Sequence, residues 1–330
     1  MRKFAFAGFR HAHVNGLYQM AMKNNNIEIV GAFEPDEAAR SAAEKNLGVK
    51  FNYGSYADLL NDANVEIVAI GDYFGIRGAR AIDALKAGKH IYADKPLCTS
   101  LGELDIIEKL SAEKKLKVGC MLDMRYYPFV AYVRKLISSG ALGKIHTIYF
   151  GGQHPLFYGT RPAWYYEEGK HCGVINDIAV HGVDIIYYLA GLELVRVVGA
   201  REWNAFAVNE PQFKDCGQLI AELTGGVGLM ADVSYSSPNS IGYTHPAYWR
   251  FSIAAEKGTI EFGPNMKEIR VGYEGREGIE YIIPPAVETG DCLSVFIKEL
   301  AGEKTDIDTA TVFKSSRNTL KIQQAADSFT

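Results

Sequence analysis

The chain has 330 residues, enough for two domains, because single hydrophobic cores stop growing at about 250–300 residues. Its 48% apolar content and mean hydropathy of -0.07 predict a globular protein, and no apolar run approaches the roughly 20 residues of a membrane-spanning helix. A net charge of -4 without a basic block argues against a nucleic-acid partner. Five scattered cysteines favour reduced thiols and a cytoplasmic location.

The first 120 residues alternate short apolar runs with helical patterns. We predict strands over 4–7, 27–33, 65–70, 90–93 and 117–120, and helices over 15–24, 35–46, 56–61, 76–87 and 101–113. Strands that alternate with helices predict a parallel sheet with helices on both faces. The sequence therefore predicts an α/β domain over residues 1–122.

Strand patterns dominate after residue 123. A helix over 128–138 is followed by predicted strands over 145–150, 195–201, 218–224, 227–235, 249–254, 258–262 and 268–273, and by a final helix of about 15 residues from Ala310. Thr224-Gly225-Gly226 is typical of a hairpin turn. Residues 123–330 are therefore predicted to form an α+β domain with a large, mostly antiparallel open sheet.

The turn after the first strand is a candidate nucleotide site. Gly8 begins it where a dinucleotide-binding fold has GxGxxG, but Arg10 and His13 replace the second and third glycines. Arg10 or His11 can donate hydrogen bonds to a phosphate in place of close backbone contact. A surface turn with a structural histidine pair is the alternative.

Glu34 follows the second predicted strand, where an acidic side chain accepts hydrogen bonds from the adenosine ribose. A carboxylate there repels a 2′-phosphate, so the sequence favours NAD over NADP. Acids at strand ends are also common without such a role.

Lys95 follows the strand over 90–93, at the edge where open α/β sheets bind their ligands. An ammonium group beside a reacting hydroxyl polarises it or stabilises a developing alkoxide. Pro96 makes a cis Lys95-Pro96 peptide an expectation. An ordinary solvated lysine in a turn is the alternative.

Asp177 and His181 are four residues apart, so on a helix they share one face, with Asp184 further along it. Imidazole titrates near neutrality and suits removal of an alcohol proton as hydride leaves. With Lys95, these residues would give one pocket three groups for proton transfer. A capping aspartate beside a buried structural histidine is the alternative.

A metal site is the competing chemical interpretation. His11 with His13, or His171 with Cys172 and His181, offers zinc ligands. The spacings match no standard zinc motif, and nicotinamide chemistry needs no metal, so we predict none.

Aromatic and polar side chains crowd the segment before the predicted Asp177 helix, among them His154, Tyr158, Trp164 and Tyr165. Aromatic faces with hydrogen-bonding tips suit a sugar ring, although such residues also fill ordinary cores.

Taken together, these motifs resemble the Gfo/Idh/MocA oxidoreductases over nearly the whole chain. The segment Ala87–Leu97 (AGKHIYADKPL) is similar to the family's AGKHV..EKPL, and Gly173–Asp184 (GVINDIAVHGVD) to its G-x-l-x-D-x-x-x-H-x-x-D. Supporting similarities are Arg125-Tyr126-Tyr127-Pro128, the turn over 139–145 and Lys257-Gly258-Thr259-Ile260.

The resemblance implies a Rossmann domain, a mixed-sheet domain that pairs subunits into a homodimer or homotetramer, and catalysis by Lys95, Asp177 and His181. His181 would be the acid/base, Lys95 would hold the reacting oxygen, and Asp177 would bind substrate or tune His181. The implied cofactor contacts are Gly8, Phe9, Arg10, His11, Glu34, Asp72, Tyr73, Asp94, Lys95 and Arg125. The implied substrate contacts are Lys95, Tyr158, Trp164, His171, Asp177 and His181.

The sequence departs from the family pattern at five places. The eroded glycine motif resembles a branch that reads GxxHxH, and Asp94 replaces the usual glutamate. The usual Thr-Pro is replaced near Asp72-Tyr73, and Arg77 takes the place of a common histidine. His171-Cys172 replaces two glycines.

The leading hypothesis is an NAD-dependent dehydrogenase of a sugar, polyol or sugar-derived alcohol, with no nucleic-acid or membrane partner. Two alternatives stay open: an NAD-assisted glycoside-cleaving enzyme of the same fold, and a non-catalytic sugar or nucleotide sensor.

Overall fold

A computed structural model describes residues 1–285 and 290–329. The chain divides into two compact units. The first unit contains Met1–Met121, Glu167–Cys172 and Gly290–Arg317, and the second contains Leu122–Tyr166, Gly173–Thr289 and Asn318–Thr330. The predicted division assigned all of 123–330 to the second domain, whereas 167–172 and 290–317 cluster with the first unit.

The first unit is built on a parallel sheet of β1 (Arg2–Ala7), β2 (Ile27–Phe33), β3 (Ile67–Ile70), β4 (His90–Ala93) and β5 (Val118–Cys120), in the order β2-β1-β3-β4-β5. The sheet confirms the predicted Rossmann-type α/β fold. The chain reverses direction across the sheet between β1 and β3, and ligands of such folds bind at the carboxyl ends of the strands at this switch point.

The helices that follow these strands are α1 (His13–Lys23), α2 (Glu37–Leu47), α3 (Tyr56–Asn61), α4 (Phe74–Lys86) and α5 (Leu101–Lys114). Side chains cap three of them, because Asp36, Ser55 and Ser100 each accept a hydrogen bond from a backbone N–H in the first turn. α1 and α4 begin without a side-chain cap. Their first N–H groups therefore face the carboxyl edge of the sheet without a local acceptor of this kind.

The second unit contains an eight-stranded sheet in the order β13-β12-β11-β10-β6-β9-β8-β7. Its strands are β6 (Ile145–Pro155), β7 (Leu194–Trp203), β8 (Cys216–Leu223), β9 (Val227–Ser237), β10 (Arg250–Ala255), β11 (Gly258–Phe262), β12 (Ile269–Tyr273) and β13 (Glu280–Ile282). Six of its pairings are antiparallel and one, β6 with β9, is parallel. The predicted mostly antiparallel sheet is confirmed, and so is the hairpin at Thr224-Gly225-Gly226.

The second unit also contains α6 (Pro128–Ser138), a π-helical turn over Ile175–Ala179 and α7 (Val180–Ala190). Two helices follow later in the chain: α8 (Cys292–Leu300), which was not predicted, and α9 (Thr309–Asp327). The π-helical turn is also a difference from prediction, because the segment from Asp177 was expected to open an α-helix directly. Among the described residues, no helix is long and apolar enough to cross a membrane.

Candidate active site

The turn after β1 keeps the backbone geometry of a nucleotide-binding loop. Gly8 has a φ of +91°, and a Cβ there would lie 2.6 Å from the Cβ of Asp72, so only glycine fits. α1 follows, with Ala12 before it and no acidic residue in its first turn. This helix N-terminus therefore presents backbone N–H donors and a positive dipole end, which is the arrangement that holds phosphates.

The Glu34 carboxylate lies against this turn. Its Oε2 accepts a hydrogen bond from the Phe9 N–H at 2.5 Å, and its Oε1 accepts one from the Asp36 N–H at 2.7 Å. Burial raises the pKa of Glu34 above its ordinary value. If Glu34 contacts a ribose as predicted, it does so with the same carboxylate oxygens that accept hydrogen bonds from the Phe9 and Asp36 N–H groups.

Arg10 is fixed by Asp72, which follows β3. The distance from Arg10 Nε to Asp72 Oδ1 is 2.7 Å, and the guanidinium lies 4.6 Å from the ring centroid of Tyr73. The other carboxylate oxygen, Asp72 Oδ2, is 2.6 Å from Arg80 Nη2. Asp72 thus holds two arginines at the switch point between β1 and β3.

His11 faces Asp94, which follows β4. The distance from His11 Nδ1 to Asp94 Oδ2 is 2.5 Å, and Arg77 Nη2 is 2.7 Å from the same oxygen. Burial alone would raise the pKa of Asp94, but Arg77 and the nearby histidines hold it well below its ordinary value. Burial lowers the pKa of His11 to about 3, so at neutral pH His11 is a neutral donor to an ionised Asp94. A role for His11 in holding phosphate as a cation is not favoured by this environment.

Lys95 and the turn around it follow Asp94 directly. The Lys95 side chain is 5% exposed, and the Lys95-Pro96 peptide is cis, as expected from the sequence. The carbonyl of Lys95 accepts a hydrogen bond from Arg77 Nη1 at 2.5 Å. The predicted lysine thus lies at the carboxyl edge of the first unit's sheet, in the row of turns that also contains Gly8 and Asp72.

Asp177 lies in the π-helical turn of the second unit and is 3% exposed. Its Oδ2 accepts a very short hydrogen bond from the hydroxyl of Tyr235, which lies on β9. Burial and the adjacent Asp177 raise the pKa of Tyr235 well above its ordinary value. Tyr235 therefore remains a protonated donor that holds the carboxylate in place.

His181 lies in the first turn of α7 and is 8% exposed. Its Nδ1 is 3.9 Å from Asp123 Oδ1, and its ring meets that of Trp249 edge-on with the centroids 5.9 Å apart. The imidazole is thus buried between an aromatic ring and a nearby carboxylate. That environment suits an acid/base group.

The start of the π-helical turn is held by two side chains from other elements. Glu202, at the end of β7, accepts a hydrogen bond from the Ile175 N–H at 2.6 Å, and Gln323 Oε1 on α9 accepts one from the Asn176 N–H at 2.9 Å. Gln323 Nε2 also donates to Glu202 at 2.9 Å. Burial raises the pKa of Glu202 to about 7.

The remaining predicted site residues have varied surroundings. Arg125 forms a buried two-point ion pair with Asp184. Trp164 packs on Tyr165 with ring centroids 4.1 Å apart, whereas Tyr158 is 45% exposed and donates a hydrogen bond to Glu210. His171 belongs to the first unit, where its ring lies 5.3 Å from that of Phe74.

Two further residues stand out that the sequence did not assign to the site. Arg77 was noticed only as a departure from the family pattern, and Tyr235 carried no motif. A charged residue in the first turns of a helix after a buried strand was a usable signal for Arg77. Nothing in the alternating pattern of β9 distinguished Tyr235.

The donor atoms of His11, His13 and Asp94 lie within 4.8 Å of one another, a separation compatible with a metal ion. Arg77 already supplies positive charge to Asp94 at 2.7 Å. A cation placed among these ligands would be repelled by that guanidinium.

Comparison with known proteins decides the family. Residues 2–121 match the oxidoreductase family with an NAD-binding Rossmann fold, and residues 130–261 match the GFO/IDH/MocA C-terminal domain. The chain belongs to the GFO/IDH/MocA oxidoreductase family. The resemblance inferred from the motifs is thereby confirmed.

Over the aligned residues, the chain is about a quarter identical to named relatives. It is 27% identical over 271 residues to scyllo-inositol 2-dehydrogenase (NAD(+)) of Bacillus subtilis (strain 168), a match that covers 79% of this chain and 73% of that protein. It is 26% identical over 175 residues to scyllo-inositol 2-dehydrogenase (NADP(+)) of the same organism, covering 51% and 48%. A levoglucosan dehydrogenase in complex with NADH has the same fold, with a TM-score of 0.79, 18% identity and coverage of 99% and 97%.

Proposed function

We propose that this family member is an NAD-dependent dehydrogenase that oxidises or forms a secondary alcohol on a sugar, polyol or sugar-derived compound. The observation that carries the proposal is the carboxyl edge of the first unit's sheet, where Gly8 and the N-terminus of α1 follow β1 and Lys95 follows β4, with β3 between the two strands. The inositol dehydrogenase relatives support the substrate class.

The residues of the glycine turn fit a dinucleotide, because Gly8 leaves room for the backbone and α1 offers N–H donors without a local cap. The predicted cofactor residues of the first unit line this turn and the neighbouring strand ends. A bound nicotinamide would supply the hydride acceptor or donor. We propose NAD rather than NADP because Glu34 places a carboxylate at the end of β2.

Three side chains carry the proton chemistry in this proposal. His181 takes the hydroxyl proton as the substrate carbon is oxidised and returns it in the reverse direction. Lys95 donates a hydrogen bond to the reacting oxygen and stabilises negative charge on it. Asp177, held by Tyr235, binds substrate hydroxyls.

The test is turnover with a panel of polyols, sugars and sugar acids, followed at 340 nm with NAD. Lys95→Ala and His181→Ala should each lower kcat by about 10²–10⁴-fold, because each removes a group that acts only in the transition state. Calorimetric binding of NAD to each variant separates loss of chemistry from loss of the cofactor.

Lys89 provides the matched control. It is a buried lysine just before β4, whereas Lys95 follows β4, and its Nζ donates to the carbonyls of Asp62 and Val65. Lys89→Ala should lower stability and leave kcat close to that of the parent protein. Unchanged turnover in both active-site variants would refute the assignment, and product formed without net NADH would instead favour the glycoside-cleaving alternative.

The proposal also includes the oligomeric state of the protein and its location in the cell. Apolar side chains exposed on the sheet of the second unit support a homodimer or homotetramer, and Val198, Ile220 and Met230 are each at least half exposed. The five cysteines are buried and scattered along the chain, which supports a reducing, cytoplasmic location.

A further inference from the structure

Arg77 joins the ends of two neighbouring strands in the first unit. It is fully buried on α4, and its Nε donates to the carbonyl of Asp72 at 2.7 Å. Its Nη1 donates to the carbonyl of Lys95 at 2.5 Å and reaches that of Pro96 at 3.3 Å. One guanidinium thus holds the backbone of the turns that follow β3 and β4.

Asp94 extends this connection to a third strand. Its Oδ2 pairs with Arg77 Nη2 at 2.7 Å and with His11 Nδ1 at 2.5 Å, while Oδ1 is 3.2 Å from His13 Nδ1. His11 lies in the glycine turn after β1, and His13 is the first residue of α1. The Arg77–Asp94 pair is therefore bonded to the turns of three adjacent strands.

We propose that Arg77 and Asp94 are positioning residues that set the place of Lys95 relative to the glycine turn. This inference rests on the proposed function, in which Lys95 contacts the reacting oxygen. An ion pair that only stabilised the fold would not need to bond the carbonyl of Lys95 itself. A guanidinium can do so while it binds a carboxylate, because its donors form a rigid planar fork that a lysine lacks.

The two residues also differ from the usual family pattern in compensating directions. Aspartate at position 94 is one methylene shorter than the usual glutamate, and arginine at position 77 is longer than the common histidine. We expect the longer Arg77 side chain to make up for the shorter Asp94 side chain in the distance that the pair bridges. Asp94→Glu alone should make the two side chains together too long for the distance between their backbones. Arg77→His alone should make them too short for it.

The test compares Asp94→Glu, Arg77→His and the double variant Arg77→His/Asp94→Glu. Each single change should lower kcat about 10²-fold, the size expected for a small displacement of a reacting group. The substrate KM should change less than about threefold, since substrate contacts remain. The double variant should lose less kcat than the product of the two single losses, because residues in one network couple strongly.

Amide hydrogen exchange gives a readout that does not depend on turnover. Peptides that cover residues 8–14 and 90–98 should exchange faster in both single variants and return toward the parent rate in the double variant. The control is Glu299→Gln, which alters another buried carboxylate of the first unit, bonded to Thr309 and Lys117. It should lower the melting temperature without changing kcat or exchange in these two peptides.

Purely additive losses in kcat, or unchanged exchange at both turns in the single variants, would overturn the positioning role. A parent protein that turns over no alcohol in the panel would count against the proposed function instead. In that case the exchange measurement would still decide whether Arg77 and Asp94 position the Lys95 turn.

Discussion

The charged side chains at the carboxyl edge of the first unit neutralise one another. Three carboxylates and three guanidiniums meet there, contributed by Glu34, Asp72, Asp94, Arg10, Arg77 and Arg80. Each of these arginines is therefore already paired with a carboxylate of the chain before any cofactor phosphate binds. A pyrophosphate would depend chiefly on the N–H groups of the glycine turn and of α1, as in glycine-rich loops, even though Arg10 and His13 replace the second and third glycines.

Glu34 is the residue whose charge should decide the choice of cofactor. Glu34→Gln keeps an oxygen acceptor for the Phe9 N–H but removes the negative charge that opposes a 2′-phosphate. The ratio of NADP to NAD affinity should rise by about tenfold or more in calorimetric titration. Glu37→Gln, an exposed acid at the start of α2, removes the same charge and should leave the ratio near that of the parent. An unchanged ratio in Glu34→Gln would contradict this role.

The π-helical turn is the element that most affects the second unit's share of the site. It places Asp177 against Tyr235, and Glu202 and Gln323 secure its first N–H groups. π-helical turns are rare and frequently lie at functional sites. Because this turn precedes α7, Asp177 and His181 do not have the plain i, i+4 relation of a regular α-helix, which the sequence analysis assumed.

Glu202 should make the stability of the protein depend on pH. Burial raises its pKa from 4.5 to about 7, so the folded protein favours the protonated form. Its contribution is fully present below pH 4.5 and is lost as the pH rises through 7, a loss on the order of 3 kcal/mol. Glu202→Gln, a neutral mimic, should show a smaller decline in unfolding free energy between pH 5 and pH 8.

Chemical denaturation at both pH values measures this effect. Glu222→Gln on β8 serves as the control, because it changes a surface carboxylate of the same sheet that pairs with Arg196. It should keep the pH dependence of the parent. An equal decline in Glu202→Gln and the parent would show that Glu202 does not govern this window.

Regular elements were the part of the fold that the sequence could predict. Strands alternating with helices gave the first sheet, and Pro128 at the first position of α6 marked its start. β6 was predicted to end at residue 150, just before Gly151-Gly152, yet it runs on to Pro155. A Cβ at Gly152 would lie 2.9 Å from the Trp249 ring, so this glycine serves close packing.

The site residues that lie in a recognisable motif could be predicted from the sequence. Their partners from distant parts of the chain could not. Lys95, Asp177 and His181 lie in recognisable segments. Arg77 meets Asp94 across 17 residues of sequence, and Tyr235 meets Asp177 across 58. Periodicity describes one element at a time, so it could not predict either pairing.

At the scale of the whole molecule, the sheet of the second unit exposes apolar side chains, and we propose that a second copy of the chain covers them. Val195, Val198, Ile220 and Met230 are 50–57% exposed, and a groove of about 430 Å³ beside them is lined by Tyr149, Met230 and Phe329, among others. Contiguous exposed apolar surface of this kind marks interaction sites. The backbone groups inside the sheet are bonded to neighbouring strands. This face can therefore contact another chain through its side chains.

Met230→Glu should therefore weaken self-association, because it places a charge in the middle of this surface. Sedimentation velocity should show the parent as a dimer or tetramer and the variant shifted toward monomer. Ile106→Glu changes an apolar residue of similar exposure on α5 and should leave the sedimentation coefficient as it was. A parent protein that sediments as a monomer at micromolar concentration would contradict the predicted assembly.

The composition of the first unit also bears on how a ribosome-bound chain can fold. The Tyr92 ring on β4 packs against Phe296, and the Val118 N–H on β5 donates to Thr309 Oγ1. Both partners follow β13 in the chain, so they are synthesised after the first sheet and after the strands of the second unit. Until these partners are synthesised, part of the apolar surface of the Rossmann sheet stays uncovered in the nascent chain. A chaperone would bind this exposed surface during that period.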